Sequence, residues 1–311
     1  MDAATVERFE ANRDRLASLA YRLLGSAADA EDAVQDAFLR WQAADRERIQ
    51  VPEAWLTRVV TNLSLDRLRS ASRRYERAVG DGLPEPLLDG DPMLGPADTV
   101  EQRESVTLAV LTLMERLSPI ERAVYVLREA FSHSHAEIAE ILDITESASQ
   151  QHAHRARRRI ATERNVSEVD HASARRIVEA FVDAASSGRT ERLLALLTDD
   201  ATAISDGAGL GGKILRTSDP ERIAATMRAG FKPTPAKRKL AGGSPAIHSG
   251  MVNGSPAMIA ALEDRVVGVV ILEVRDGKIA ALRGVASPAR LGRLTEEWLR
   301  HEHDDPLIES W

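Results

Sequence analysis

Two runs near the start of the chain carry charges whose spacing could hold partners. The first is A-A-D-A-E-D-A-V-Q-D-A-F-L-R-W (residues 27–41). On a helix of period 3.6, Leu23, Ala27, Ala30, Val34, Ala37, Phe38 and Trp41 form one apolar stripe. Asp29, Asp32, Asp36 and Arg40 fall on the opposite face. The second run is A-W-L-T-R-V-V-T-N-L-S-L-D-R-L-R-S-A-S-R-R (residues 54–74). It buries Leu56, Val59, Val60 and Leu63 and turns Asn62, Asp66, Arg69 and Arg73 outward, with Arg74 beside them. The acidic face suits a basic protein surface and the basic face a nucleic acid backbone. The chemistry is recognition by charge rather than bond making.

A third run, H-A-H-R-A-R-R-R (residues 152–159), is cationic and suits phosphate contact. His152 and His154 are two apart, so they point to different sides of a helix, and no carboxylate pair completes a metal site. Asp206, His248 and Glu263 are the candidates for acid/base work. Catalysis needs two such groups converging in one pocket. No paired motif is present, and Asp206 reads equally as a turn residue before Gly207. The expectation is a protein that is not an enzyme and uses neither cofactor nor metal.

The elements that position these residues follow from composition and pattern. The chain has 311 residues, room for two or three domains, and no Cys, which excludes disulfides and thiolate metal sites. Hydrophobic residues make up 43% and aromatics only 4%, as in helical bundles built on Leu, Ala and Val. No long apolar run or signal-peptide pattern is seen, so a soluble, cytoplasmic protein is expected. A net charge of -7 argues against a chain that grips DNA unaided. It is compatible with one that meets DNA while held on a larger machine.

Residues 1–75 read as helices. Residues 76–100, rich in Gly, Pro and Asp, read as an acidic linker with apolar patches at 83–88 and 93–94 that could dock on a surface. Helical pattern resumes at residues 100–117, and Ser118-Pro119 restarts it as cap and first helical position. Residues 122–131, 135–142 and 146–160 read as a support helix, a first helix and a recognition helix. The turn between the last two is Asp143-Ile144-Thr145, with Ile144 buried and Thr145 as cap. Asp143 occupies a position expected to need positive φ. From residue 170 the pattern becomes α+β, with helices at 171–187 and 191–197. Strand-like runs follow at 201–205, 257–262, 266–274 and 278–285, and Asp276-Gly277 stands at a hairpin turn.

The runs D-A-E-D-A-V-Q-D-A-F-L-R (residues 29–40) and W-L-T-R-V-V-T-N-L-S-L-D-R-L-R (residues 55–69) resemble the promoter-melting domain of extracytoplasmic-function sigma factors of bacterial RNA polymerase. Residues 120–160 resemble that family's second DNA-binding domain. Residues 171–291 resemble the SnoaL-like branch of the NTF2-like fold. The matches are F-V-D-A-A-S-S-G (181–188), L-L-A-L-L-T-D-D-A-T (193–202), S-D-G-A-G (205–209) and V-R-D-G-K-I (274–279). A subgroup of the family carries this extension, where it tunes polymerase binding and promoter activity.

The resemblance implies two all-α domains, at residues 1–75 and 101–165, the second a helix-turn-helix. An α+β cone-like regulatory domain follows at 170–311. It implies core RNA polymerase and promoter DNA as partners, with no membrane and no required anti-sigma protein. Asp29, Asp32, Asp36 and Arg40 would meet the polymerase clamp. Asn62, Asp66, Arg69, Arg73 and Arg74 would meet the minus-ten element. Gln150, Gln151, His154 and Arg155 would face the minus-thirty-five element, with Arg157 and Arg158 on phosphates. Leu83, Pro84, Glu85, Pro86, Asp206, Gly207 and Pro288 would join the cone to the rest of the chain. Gly82 stands where a Trp is usual in that subgroup, Leu210-Gly211-Gly212 interrupts a glycine run before Lys213, and residues 286–291 lack the usual Asn and Asp. The specific polar anchors of that contact are therefore expected to be looser. The alternative function is a helix-turn-helix regulator fused to a SnoaL-like small-molecule-binding or catalytic domain.

Overall fold

The computed structural model describes residues 3–74, 83–95, 99–160, 169–207 and 214–311. The chain divides into two compact units. One is Met1–Glu85 with Gly90–Arg164, and the other is Pro86–Asp89 with Asn165–Trp311. Among the described residues no helix is long and apolar enough to cross a membrane.

The first unit is helical. α1 (Ala3–Leu24), α2 (Ala27–Ala43) and α3 (Pro52–Arg74) pack as a bundle. The expected apolar stripe of α2 is its buried side, except that Phe38 is half-buried and rests on Phe9 at 4.9 Å. Trp41 is buried, donates its indole N–H to the Thr5 carbonyl at 3.0 Å and tilts against Trp55. The pattern at residues 100–117 resolves into two helices, α4 (Val100–Glu104) and α5 (Leu108–Met114). Thr107 caps the second of them by accepting from the Val110 N–H. α6 (Pro119–Glu129), α7 (His135–Leu142) and α8 (Glu146–Ile160) follow. Ser118 and Glu121 form a capping box at α6, and Ser134 and Glu137 form another at α7.

The linker adheres to this unit at two places. The Glu85 N–H donates to the Gly25 carbonyl at 2.9 Å, and the Tyr21 hydroxyl donates to the Glu85 carbonyl at 2.7 Å. Further on, Gly95 adopts φ 70°, and a Cβ there would stand 2.3 Å from Ser18 Oγ. Only glycine allows both the turn and the close approach. Met93 is buried, so the expected docking of the linker's apolar residues is met here.

The second unit is α+β. α9 (His171–Ser186) and α10 (Thr190–Leu196) precede β1 (Leu197–Ser205) and β2 (Leu215–Thr217). Then come α11 (Pro220–Phe231), α12 (Pro235–Ala241), β3 (Ala246–Val252), β4 (Ser255–Leu262), β5 (Arg265–Arg275), β6 (Lys278–Val285) and α13 (Pro288–Arg300). The six-stranded sheet has the order β2-β1-β6-β5-β4-β3. All pairs are antiparallel except β1 with β6, which run parallel. Val178, Phe181, Leu197, Ile223, Ile247, Leu272 and Leu282 form the core under α9, α10 and α11. α13 packs on β5, and its Trp298 meets the ring of His248, the neighbour of core residue Ile247 on β3. Successive strand residues face opposite ways, so α13 covers the other side of the sheet.

The expected Asp276-Gly277 turn joins β5 to β6 with φ of 52° and 75°. Asn253-Gly254 joins β3 to β4 in the same way, with φ of 50° and 73°. Both pairs have the two positive values that a tight hairpin of correct twist requires.

Candidate polymerase and promoter surfaces

Ser26 starts α2 by accepting from the Asp29 N–H at 3.2 Å. Asp29, Asp32 and Arg40 are exposed on one face. Asp36 is less free, because Arg67 of α3 pairs with it at 2.8 Å. The pair is partly exposed, so it contributes at most about 1 kcal/mol. The face is therefore a solvated acidic strip beside one internal ion pair.

On α3, Leu56, Val60 and Leu63 are buried as expected, while Val59 and Asn62 are half-buried. Asp66 and Arg69 are exposed and pair at 3.5 Å. Arg73 and Arg74 lie in the last turn of α3, and their side chains are outside the described residues. Thr61, Ser64 and Leu65 are also buried, and α6 and α7 pack on this helix. The hydroxyls of Thr61 and Ser64 have no hydrogen-bond partner. Each such buried group costs about 1–3 kcal/mol.

The helix-turn-helix is built as expected. Asp143 ends α7 in the left-handed region at φ 54°, and the Ile144 N–H returns to the Ala139 carbonyl at 3.0 Å. Ile144 is half-buried rather than fully buried. Thr145 caps α8 by accepting from the Ala148 N–H. Ser149 is fully buried, and His135 Nδ1 meets its hydroxyl at 2.9 Å. That bond supplies the partner a buried hydroxyl needs.

Ala153, Ala156 and Ile160 are the buried side of α8. Arg155 and Arg159 both reach Glu121 of α6, at 3.0 and 2.6 Å, and Arg157 pairs with Glu129 at 2.7 Å. Burial pushes the Glu121 carboxyl up, but hydrogen bonds from Ser118 and Arg155 and the charge of Arg159 hold it below its ordinary value. Gln150 lies 3.5 Å from Glu146. Gln151, His154 and Arg158 are exposed, and among the described residues none pairs with them. At i, i+3 and i+7 they share one face.

Two buried arginines escaped sequence reasoning. Arg122 donates to the Met114 carbonyl at 2.9 Å and to the Leu23 carbonyl at 2.7 Å, so it ties α6 to the end of α1. Arg22 donates to Ser105 Oγ at 3.0 Å and the Leu94 carbonyl at 2.8 Å, and stands over the Phe131 ring. Burial lowers both guanidinium groups to about 10. Only long-range packing brings these carbonyls within reach.

The residues expected to join the cone to the chain are divided between the two units. Leu83 and Pro84 are buried and belong with Glu85 to the helical unit. The Glu85 carboxylate accepts from Ser26 Oγ at 2.8 Å and the Ala27 N–H at 2.9 Å, at the start of α2. Pro86 belongs to the α+β unit. There Leu87 exchanges bonds with Asn253, its N–H donating to Oδ1 at 2.8 Å and its carbonyl accepting from the Asn253 N–H at 2.9 Å. Leu88 bridges Val252, and Asp89 accepts from the Gly254 N–H at 2.9 Å. Asp206 is buried and accepts from the N–H groups of Ala286 and Ser287, at 3.0 and 2.9 Å, ahead of Pro288 at the start of α13. Gly207 has φ 61°, and residues 208–213 lie outside the described residues.

Residues 8–74 match the Sigma-70 region 2 family and residues 107–160 match Sigma-70, region 4. The chain is 35% identical over 291 residues to the ECF RNA polymerase sigma factor SigJ of Mycobacterium tuberculosis strain H37Rv, across 91% of this chain and 92% of that one. The chain belongs to the extracytoplasmic-function sigma factors. It is also 32% identical to the probable ECF RNA polymerase sigma factor SigI of the same species, over 93% of this chain and 95% of that one. The crystal structure of M. tuberculosis SigJ superposes with a TM-score of 0.68 at 30% identity, covering 93% of this chain and 98% of that one.

As a sigma factor, the chain binds core RNA polymerase and directs it to promoters to initiate transcription. It is a transcription factor with helical sigma regions and a SnoaL-like α+β extension. The Asn253-Gly254 turn, which holds Leu87, was the strongest signal left unread. Its dipeptide has the same chemistry as Asp276-Gly277, but the flanking His248-Ser249-Gly250 and Ser255-Pro256 hide the strand pattern.

Proposed function

We propose that this sigma factor is governed by its own α+β domain, acting through the linker between its two DNA-binding domains. The observation that carries this reading is the seating of Pro86–Asp89 in the α+β unit. A four-residue piece of the linker is held there by backbone bonds of the kind that build a sheet. A tether this short gives the linker a high effective concentration at its site, so even a modest contact holds. Packing of α6 and α7 on α3 supports a second element of the reading. One side of the helix that meets the minus-ten element is packed against the helix-turn-helix in this state, and a change in that packing is the step that polymerase would drive.

In the same reading the protein acts in the cytoplasm, where core polymerase and promoter DNA are. Asp29, Asp32, Asp36 and Arg40 meet the clamp. Asn62, Asp66, Arg69, Arg73 and Arg74 meet the melted minus-ten strand. Gln150, Gln151, His154, Arg155, Arg157 and Arg158 meet the minus-thirty-five element. The α+β domain performs no catalysis of its own. Asp206 serves the start of α13, His248 stacks by its edge on Trp298, and Glu263 is exposed in the turn after β4. These three acid/base candidates have separate surroundings.

The test is promoter-specific transcription with core polymerase. The full chain is compared with Asn253→Gly combined with Asp89→Ala. Glycine keeps the positive φ of the turn and removes the Leu87 acceptor. A changed transcript yield at equal polymerase affinity supports control through the linker. Identical yields would remove its basis.

A further inference from the structure

We propose that the α+β domain is a receptor for a neutral, largely apolar small molecule. A cavity of about 460 Å³ opens between the sheet, α12 and the start of α13. That lies within the roughly 300–1,000 Å³ typical of sites for small organic ligands. Phe231, Leu240, Ile247, Met258, Leu291 and Trp311 supply apolar wall.

The wall over the mouth is an unusual helix. No residue of α12 is buried, and its Leu240 is 58% exposed although it lines the cavity. A helix that contributes nothing to the core gains apolar partners when the space beneath it is filled. It is held in place by polar bonds instead. Thr234 caps it, and Lys237 donates to the carbonyls of Ala229, Gly230 and Lys232 at the end of α11. Arg265 donates to the Ala241 carbonyl at 3.3 Å and pairs with Asp264 at 3.1 Å.

These bonds decide the charge of the occupant. Among the described residues Lys237 and Arg265 are the cations in the wall; both donate to backbone carbonyls in holding α12, and Asp264 balances Arg265. An anion entering the cavity would lose its hydration and find these donors already bonded. A neutral molecule loses little and gains apolar contact with two aromatic rings. His248 faces the opposite side of the sheet from Ile247, and among the described residues no imidazole lines the cavity to transform the occupant. Ala286 and Pro288 also border the space, next to the backbone groups that Asp206 holds. The occupant therefore touches the start of α13.

The experiment titrates the full-length protein with N-phenyl-1-naphthylamine, a neutral dye that fluoresces in apolar surroundings. Saturable binding at one site is expected. 1-Decanol should displace the dye at least about tenfold better than decanoate at about pH 8, where the acid is ionised. Ala260→Phe, which fills the cavity beside Met258, should weaken dye binding about tenfold or more with unchanged melting. Leu240→Ser, on the exposed helix, should weaken it severalfold and cannot disturb the core. Unsaturable binding overturns the proposal. So does equal competition by decanoate, or an affinity untouched by both substitutions.

Discussion

Glu121 decides which cations of the recognition helix are free to meet DNA. It is the third helical residue of α6, closes a capping box on Ser118 and holds Arg155 and Arg159. Glu129 holds Arg157. Arg158 is left exposed on the face shared with His154 and Gln151. Arg158→Ala is therefore expected to weaken holoenzyme binding at all promoters alike and to reduce the salt slope by about one. Arg157→Ala should do less, because Glu129 already balances that charge. Gln151→Ala should change sequence preference instead. Salt-dependent binding to a small set of minus-thirty-five variants separates the three, and a larger loss from Arg157→Ala than from Arg158→Ala would refute this ranking. The cationic run at 152–159 was legible in the sequence. The division of its cations into engaged and free was not, because it depends on two carboxylates of another helix.

At the scale of elements, the loop before α7 responds to pH. Burial holds the His133 imidazole below its ordinary value of 6.5, opposed by Glu137 and reinforced by Arg15. The unfolded chain therefore takes up a proton before the folded chain does. Stability is full above pH 6.5 and falls as pH drops below it. His133→Gln should flatten the melting temperature between about pH 5.5 and 6.5, and an unchanged slope would show that other groups set it. In the α+β domain, Asp206 pins the turn between β6 and α13 by accepting from the Ala286 and Ser287 N–H groups, while Ser287 makes no side-chain cap bond there. Asp206→Ala should cost about 1 kcal/mol, a fall of about 2–4 °C in melting temperature for a unit of this size. Asp206→Asn should keep most of it. The helices and the long strands were legible from period alone. β2, β3, α11, α12 and α13 were not. β2 is three residues long, and α12 buries nothing, so neither imprints an apolar period on the sequence.

For the whole molecule, the question is how firmly the first three helices hold the helix-turn-helix. The ties are specific but few. Arg122 reaches the Leu23 carbonyl, and Arg22 stands over Phe131. Both arginines meet backbone carbonyls, so they act by geometry rather than by ion pairing. Arg122→Met keeps an unbranched apolar stem but removes the guanidinium, and leaves the Leu23 and Met114 carbonyls without this donor. A loss of about 1–3 kcal/mol is expected. That shifts a closed-to-open equilibrium by about five- to 150-fold. The measurement is fluorescence transfer between dyes on the exposed faces of α2 and α8. The free wild-type protein should give one short distance, and binding to core polymerase should lengthen it. Arg122→Met should populate the long distance without polymerase and raise the rate of holoenzyme assembly. If the variant keeps the short distance while its melting temperature falls, Arg122 supports the fold of the helix-turn-helix alone. Opening on polymerase must then be resisted elsewhere, with Arg22 the next residue to replace.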